Sequence, residues 1–258
     1  MQKPADFDAY WERTMQELDR LPVAAELELN QLRSSPEVTI YNVRFTSIGP
    51  YRLFAYYAVP VGQGPFPVRV QIGGYQSVVT VPAGSPTGHW DGGNTARLAL
   101  CYRGQRHSDK PYAAAFPGML TDGIEDPQEY VWRGVVADCC RAVDFVCSRP
   151  EIDVSQITLT GNDLALMAAA FRSDRLAGVS AAPALFYRLE EALPRATAYP
   201  LEEFNDYLRL YPERREQVFR TLAYFEPLYF APRVRCPVRL SGDPAWLELL
   251  RRALGNQS

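Results

Sequence analysis

The amino-acid sequence predicts an α/β protein built on a mostly parallel central sheet with helices on both faces. From Pro67 onward, short apolar runs alternate with stretches of helical periodicity, which is the pattern of a parallel sheet covered by helices. Before that point, two runs flank Gly49-Pro50 and indicate an antiparallel hairpin at one edge of the sheet. The 258 residues suit a single domain, 1–258.

The first half of the chain carries the signals of one helix and four strands. In chain order, the predicted elements are a helix over 8–21 and strands over 38–45, 53–60, 67–72 and 97–102. Apolar residues recur at helical spacing in the first range until Pro22, which ends the helix. The next two ranges are alternating or aromatic and form the hairpin, and the last two are apolar runs followed by glycine turns. We describe 1–36 as an N-terminal helical extension.

The second half continues the alternation of helices and strands. The predicted elements are helices over 134–147 and 245–254, strands over 157–160, 177–182 and 237–241, and a helical excursion over 185–225. Val135, Cys139, Val143 and Val146 form one stripe of the first helix. The strands are short β-branched or small-residue runs, and aromatic residues recur through the excursion.

Composition excludes several classes of function. A net charge of −3 gives no electrostatic footprint for nucleic acid or an anionic membrane, and no apolar run reaches the roughly 18 residues that a membrane span needs. The five cysteines include no C-x-x-C pair, and the N-terminus lacks the apolar stretch of a secretion signal. We therefore expect a cytoplasmic protein with reduced thiols, whose cysteines pack in the core and do not bind a metal.

The stretch over 157–170, ITLTGNDLALMAAA, is a strand, a glycine turn and an alanine-rich helix. This is the layout of a nucleophile elbow, where a catalytic serine sits in G-x-S-x-G. Asp163 stands at the serine position here. Asp163 is thus a nucleophile or, because aspartate is a preferred residue at helix starts, an N-cap of the following helix.

Several further blocks occur in a specific order and carry a resemblance. They are DFDAYWERTMQEL near the N-terminus, PFPVRVQIGGY, the signature YRGQ over 102–105, FPGMLTDGIEDPQEYVWRGVVADCCRAVDFV and VFRTLAYFEPLYFAPRVRCPV. With the elbow, these blocks resemble the acetyl xylan esterase and cephalosporin C deacetylase family, carbohydrate esterase family seven. The resemblance implies an α/β-hydrolase fold, a deacetylase of small acetylated sugars, no cofactor and ring-shaped oligomers.

Residue by residue, the resemblance fails at most catalytic positions. Asp163 replaces the nucleophilic serine, and Leu164 and Tyr75 occupy the positions whose backbone N–H groups form the family's oxyanion hole. Asp243 is the candidate relic of the triad acid. The family's histidine base follows that aspartate, whereas His107 is the last histidine of this sequence. The resemblance also implies a truncation after residue 240, and we then expect the strand over 237–241 to lie at a sheet edge unless the helix over 245–254 covers it.

Two functions remain open. In the first, the protein is a catalytically silent member of the family that binds a small acetylated sugar or similar ligand, alone, as a homo-oligomer, or as a subunit beside an active paralogue. In the second, Asp163 is the nucleophile of an active esterase or of a dehalogenase-like or epoxide-hydrolase-like enzyme, with His107 as the nearby candidate base. His89, in the loop 84–93, is expected to be solvated. Arg103, Gly104 and Gln105 are expected to buttress the loops beneath the site in either case.

Overall fold

The computed structural model describes residues 1–75, 79–82, 90–112, 114 and 117–255. Eight strands form one sheet: β1 (Glu26–Leu29), β2 (Val38–Ser47), β3 (Tyr51–Pro60), β4 (Phe66–Ile72), β5 (Ala96–Cys101), β6 (Ile152–Gly161), β7 (Gly178–Ala181) and β8 (Val238–Leu240). The helices are α1 (Phe7–Arg20), α2 (Val131–Cys147), α3 (Asp163–Arg172), α4 (Leu189–Ala192), α5 (Glu202–Leu210), α6 (Arg215–Leu222), α7 (Pro227–Phe230) and α8 (Pro244–Ala253).

The strand order across the sheet is β1-β2-β3-β5-β4-β6-β7-β8. The first three strands pair antiparallel with one another, and β3 pairs antiparallel with β5. From β5 to β8 every pairing is parallel. The predicted mostly parallel sheet with antiparallel N-terminal strands is therefore confirmed, and β8 is the last described strand at its edge. Helices were expected on both faces, but the described helices leave one face of the parallel strands open.

The main core lies between the sheet and helices α1, α2 and α3. The inward side chains of β4, which are Val68, Val70 and Ile72, are buried there, and α2 is buried along nearly its whole length. The aromatic residues of α1 pack against α7, and the ring centroids of Trp11 and Phe230 are 5.3 Å apart. One continuous hydrophobic cluster thus runs from Phe7 to Leu254.

Most elements begin and end within three residues of the predicted bounds, and the larger differences are at β1 and β6. β1 was not predicted, since its sequence ELEL is short, charged and mostly exposed. β6 begins at Ile152 because Ile152 pairs with Phe66 before a register shift in the ladder. The helical excursion over 185–225 consists of the short helices α4, α5 and α6.

None of the helices in the described part of the chain has both the length and the apolar character needed to cross a bilayer.

Candidate active site at the strand-to-helix turn

The turn between β6 and α3 is closely packed and begins with a glycine. A Cβ on Gly161 would lie 3.0 Å from Cβ of Ile72 in the neighbouring strand, so a larger residue would push the two strands apart. Asn162 follows as the N-cap of α3, and its Oδ1 accepts a hydrogen bond of 3.0 Å from the backbone N–H of Leu164. The cap of α3 is therefore Asn162, and the alternative in which Asp163 caps this helix is wrong.

Asp163 is the first residue of α3 and has no exposed surface. Its Oδ2 accepts hydrogen bonds from the backbone N–H groups of Ala184 (2.8 Å) and Leu185 (2.6 Å), in the loop after β7. Its Oδ1 is buried and makes no hydrogen bond within the described structure. Burial raises the pKa of Asp163, and the two N–H groups only partly counter this effect.

The backbone at Asp163 is that of an ordinary helix start. A nucleophile elbow holds its nucleophile on a sharp, strained turn. Among the described non-glycine residues, positive φ angles occur at Ala24, His107 and Arg188 and not at Asp163. The sequence therefore has the spacing of a nucleophile elbow, but the backbone at Asp163 lacks the strained conformation that exposes the nucleophile in such a turn.

A pocket of about 580 Å³ opens beside this turn, at the carboxyl ends of β4 and β6. It is lined by Gly74, Tyr75, Asn162, Ala184, Leu185, Tyr199, Pro200 and Glu203. Asn162 thus borders the pocket at the turn, while Asp163 is absent from the lining. The pocket combines aromatic surface, an amide and a carboxyl group, which suits a small polar ligand.

Glu203 is among the pocket residues that no sequence pattern indicated. It lies on α5 and is 3% exposed. The hydroxyl of Tyr75 donates to its carboxylate at 2.5 Å and 2.6 Å, and the backbone N–H of Leu120 donates to Oε2 at 3.0 Å. Burial raises the pKa of Glu203. A glutamate in an amphipathic helix reads as a solvated residue, so only the folded chain reveals this contact.

The two predicted oxyanion-hole residues, Tyr75 and Leu164, lie on segments that meet at the pocket, but the backbone N–H of Leu164 is already used in a hydrogen bond. Tyr75 and Asn162 line the same pocket, which brings the start of α3 close to the loop after β4. The N–H of Leu164, however, is already bonded to Asn162. Leu164 itself is fully buried, so this donor serves the helix rather than a ligand.

His107 lies outside this pocket. Its Nε2 is 3.4 Å from the hydroxyl of Tyr56, and its ring centroid is 4.7 Å from that of Phe54. Both partners belong to β3, on the antiparallel side of the sheet, and His107 is exposed there. His89 falls outside the described residues.

Asp243 is exposed and caps the last helix. Its Oδ1 accepts a hydrogen bond of 2.8 Å from the backbone N–H of Ala245, and Pro244 follows it as the first residue of α8. The structure thus gives Asp243 the role of an N-cap. It does not line the pocket beside the turn.

The signature Arg103-Gly104-Gln105 supports the loop that carries Tyr75. Arg103 binds Asp138 of α2 through two hydrogen bonds of 2.7 Å and 2.8 Å. Gln105 donates to the carbonyl of Gly74 at 2.9 Å. These contacts tie the end of β5 to α2 and to the edge of the pocket.

No group of three or more His, Cys, Asp or Glu side chains in the described part of the chain is arranged to hold a metal ion.

Known proteins are similar to this chain over most of its length. The curated relative acetyl esterase Axe7A of Xylanibacter ruminicola is 25% identical over 251 residues, which are 92% of this chain and 56% of that protein. The chain therefore spans little more than half the length of this relative.

Two solved structures are also similar. An acetyl xylan esterase from Paenibacillus sp. R4 matches with a TM-score of 0.80 and 29% identity, over 93% of this chain and 79% of that one. Acetyl xylan esterase 1 from Thermoanaerobacterium sp. JW/SL YS485 matches with a TM-score of 0.78 and 23% identity, over 92% and 78% of the two chains. These matches identify the mixed sheet as an α/β-hydrolase fold. The sequence model of the acetyl xylan esterase family covers residues 1–243, and the chain therefore belongs to that family.

Proposed function

We propose that this protein is a non-hydrolysing member of the acetyl xylan esterase family whose pocket binds a small acetylated sugar or similar ligand without turnover. One observation carries the proposal: the side chain at the nucleophile position is fully buried and accepts hydrogen bonds from two backbone N–H groups. Asp163 therefore fixes the loop after β7 through these hydrogen bonds and does not act as a nucleophile.

The chemistry of ester hydrolysis supports this conclusion. Acyl transfer requires an accessible nucleophile, a base that takes its proton and two donors for the oxyanion. Asp163 does not line the pocket, and the N–H of Leu164 is bonded to Asn162. His107 contacts β3 on the other side of the sheet. The positions of Asp163, Leu164 and the candidate base His107 therefore favour binding over turnover.

The alternative function, an active hydrolase with Asp163 as nucleophile, draws support from the unbonded Oδ1 of that residue. A buried oxygen without a hydrogen bond is costly and can indicate a site kept for chemistry. Burial, however, raises the pKa of Asp163 and so favours the neutral acid, which is a poor nucleophile. The geometry therefore favours a structural role.

The lining of the pocket supports ligand binding. Tyr75 and Tyr199 supply aromatic surface, and Glu203 supplies a carboxylate with lone pairs beyond the bonds it makes. Hydroxyl groups of a sugar are suitable donors to such an acceptor. The amide of Asn162 adds a further donor at the rim.

A subunit role completes the proposal. The protein acts in a homo-oligomer or beside an active paralogue, and the described sheet ends at β8, which pairs with β7 alone. An unpaired strand edge is a surface for association. Native mass measurement of the protein, alone and mixed with the active paralogue, tests this role, and monomer in both samples contradicts it.

The activity experiment compares wild type with Asp163→Asn and Asp163→Ala in the hydrolysis of 4-nitrophenyl acetate. Asp109→Asn is the matched control, because Asp109 is an exposed acid. We expect all four proteins to match the rate of an unrelated protein at equal concentration. Turnover by wild type and the control that is lost in both Asp163 variants would contradict the proposal.

A further inference from the structure

The parallel part of the sheet has one face that no described helix covers. On β4, Val68 and Val70 are buried toward the helices, whereas Arg69 and Gln71 are exposed on the opposite face. β4 is a central strand with β5 on one side and β6 on the other. Parallel sheets are normally covered on both faces. Exposed side chains at this central position therefore indicate a surface that is available to a binding partner.

The register of the strands shapes this face into a groove. Arg69 pairs with Thr158, and Thr158 pairs with Gly178. Two residues further along, Thr160 pairs with Ser180, and Ser180 pairs with Arg239. The middle of the face thus carries small side chains on β6 and β7, and arginines stand on both flanks, on β4 and β8. The groove has a volume of about 540 Å³.

The dimensions fit one α-helix. β4 and β8 are three strand spacings apart, which corresponds to about 14 Å at roughly 4.8 Å per spacing. An α-helix with its side chains is about 10–12 Å in diameter. The small residues on β6 and β7 allow a helix to approach the sheet closely, between the two arginine flanks.

The charges of the groove define the occupant's chemistry. Neither Arg69 nor Arg239 forms an ion pair or hydrogen bond through its guanidinium within the described structure, and both are exposed. A third arginine, Arg97 of β5, pairs with Asp91 at 2.8 Å. Unpaired arginines on both sides of a helix-sized groove complement carboxylates on both sides of a helix.

We propose that this groove is the docking site for an acidic amphipathic helix of a partner protein. Small residues of that helix face Thr158, Thr160 and Ser180, and its flanking carboxylates bind Arg69 and Arg239. This proposal rests on the subunit role proposed above, and it specifies the chemistry of the partner's contact surface. It does not depend on the pocket beside the turn, which lies at the ends of the strands rather than on their face.

The test uses a fluorescently labelled 18-residue helical peptide with an alanine stripe and glutamates on both flanks. Binding to the full-length protein is measured by anisotropy at low and high salt. We expect the double variant Arg69→Glu/Arg239→Glu to bind at least tenfold more weakly. The control Arg33→Glu/Arg195→Glu changes net charge equally at exposed arginines elsewhere and should remain within about twofold of wild type.

A charge-swapped peptide, with lysines for the glutamates, provides the reciprocal test. It should bind the Arg69→Glu/Arg239→Glu variant and not wild type. No binding of the glutamate peptide at 1 mM, or an equal loss of affinity in the control variant, would contradict the proposed docking site. The subunit role is tested separately by the native-mass measurement. A dimer of wild type that the double variant abolishes would show that a second copy occupies the groove, and would also overturn the proposal.

Discussion

At the scale of single residues, buried carboxyl groups position the loop that forms one wall of the pocket. Asp163 binds the backbone of Ala184 and Leu185, and Glu226 accepts a hydrogen bond of 3.0 Å from the N–H of Arg188. Arg188 has a left-handed backbone, with φ of 52°, which is strained for a residue other than glycine. The two carboxyl groups thus fix a five-residue loop whose first two residues line the pocket.

The titration of Glu226 makes this arrangement dependent on pH. Burial is the largest cause that raises the pKa of Glu226 to about 7. Below its ordinary pKa of 4.5 the residue is protonated in both the folded and the unfolded chain. As the pH rises toward 7, the unfolded chain releases this proton and the folded chain retains it, so stability falls over that window.

Glu226→Gln should therefore remove part of the pH dependence of stability. Since each pKa unit corresponds to about 1.4 kcal/mol, we expect wild type to lose on the order of 3 kcal/mol more than the variant between pH 4.5 and 7.5. Urea unfolding at both pH values measures the difference. Glu12→Gln, at an exposed position, should follow wild type. Parallel curves for wild type and Glu226→Gln would contradict the assignment.

At the scale of elements, α5 is joined to the loop before α2 through Glu203 and Gly118. The carboxyl group of Glu203 lies so close to Gly118 that a Cβ there would be well inside van der Waals distance of it. Tyr75 links both to the pocket, because its hydroxyl also accepts a hydrogen bond of 2.9 Å from the N–H of Met119. The helical excursion is therefore held to the sheet by a polar contact as well as by its apolar residues.

A double-mutant cycle tests this contact. Gly118→Ala should displace the Glu203 carboxylate from Tyr75 and Leu120 and cost about 2–4 kcal/mol, because hydrogen bonds to a charged group are lost. In the background of Glu203→Ala the same change should cost less than about 1 kcal/mol. Urea unfolding of the four proteins gives the coupling energy. Additive effects would show that Gly118 is constrained by something other than Glu203.

The elements were largely predictable from local patterns, whereas the site was not. Alternation and helical periodicity place seven of the eight strands, and β1 is missed because four half-exposed residues carry little signal. At the turn, asparagine and aspartate are both preferred N-caps, so sequence alone does not separate Asn162 from Asp163. The contact between Tyr75 and Glu203 spans 128 residues and depends on how the excursion packs.

At the scale of the whole molecule, a network of ions ties the helices on the covered face of the sheet together. Asp144 of α2 binds Arg172 of α3 at 2.7 Å and Arg175 at 2.6 Å. Arg172 also binds Asp19 of α1 at 2.7 Å. Asp144 and Arg172 are buried, and a buried charge that loses its partner is strongly destabilising. The three helices are therefore expected to unfold as a unit.

The prediction of a single domain over 1–258 is tested by substituting Trp11 and measuring whether the whole chain loses stability together. Trp11 of α1 is fully buried, and it packs against Phe171, Phe225 and Phe230, which come from the far half of the sequence. Trp11→Ala should cost about 3–5 kcal/mol through the cavity it leaves. In a single cooperative domain, this loss should lower hydrogen-exchange protection equally in β4, β6 and α6.

The control for this measurement is Trp246→Ala, because Trp246 of α8 is only partly buried. Its ring packs on the surface against Tyr187 and Arg188, so its removal should cost less than that of Trp11. A loss of protection in Trp11→Ala that stays confined to α1 and α7 would show that the N-terminal helix is a separate unit. An equal loss in β4, β6 and α6 would show that the hydrophobic cluster couples α1 to the strands that carry the pocket.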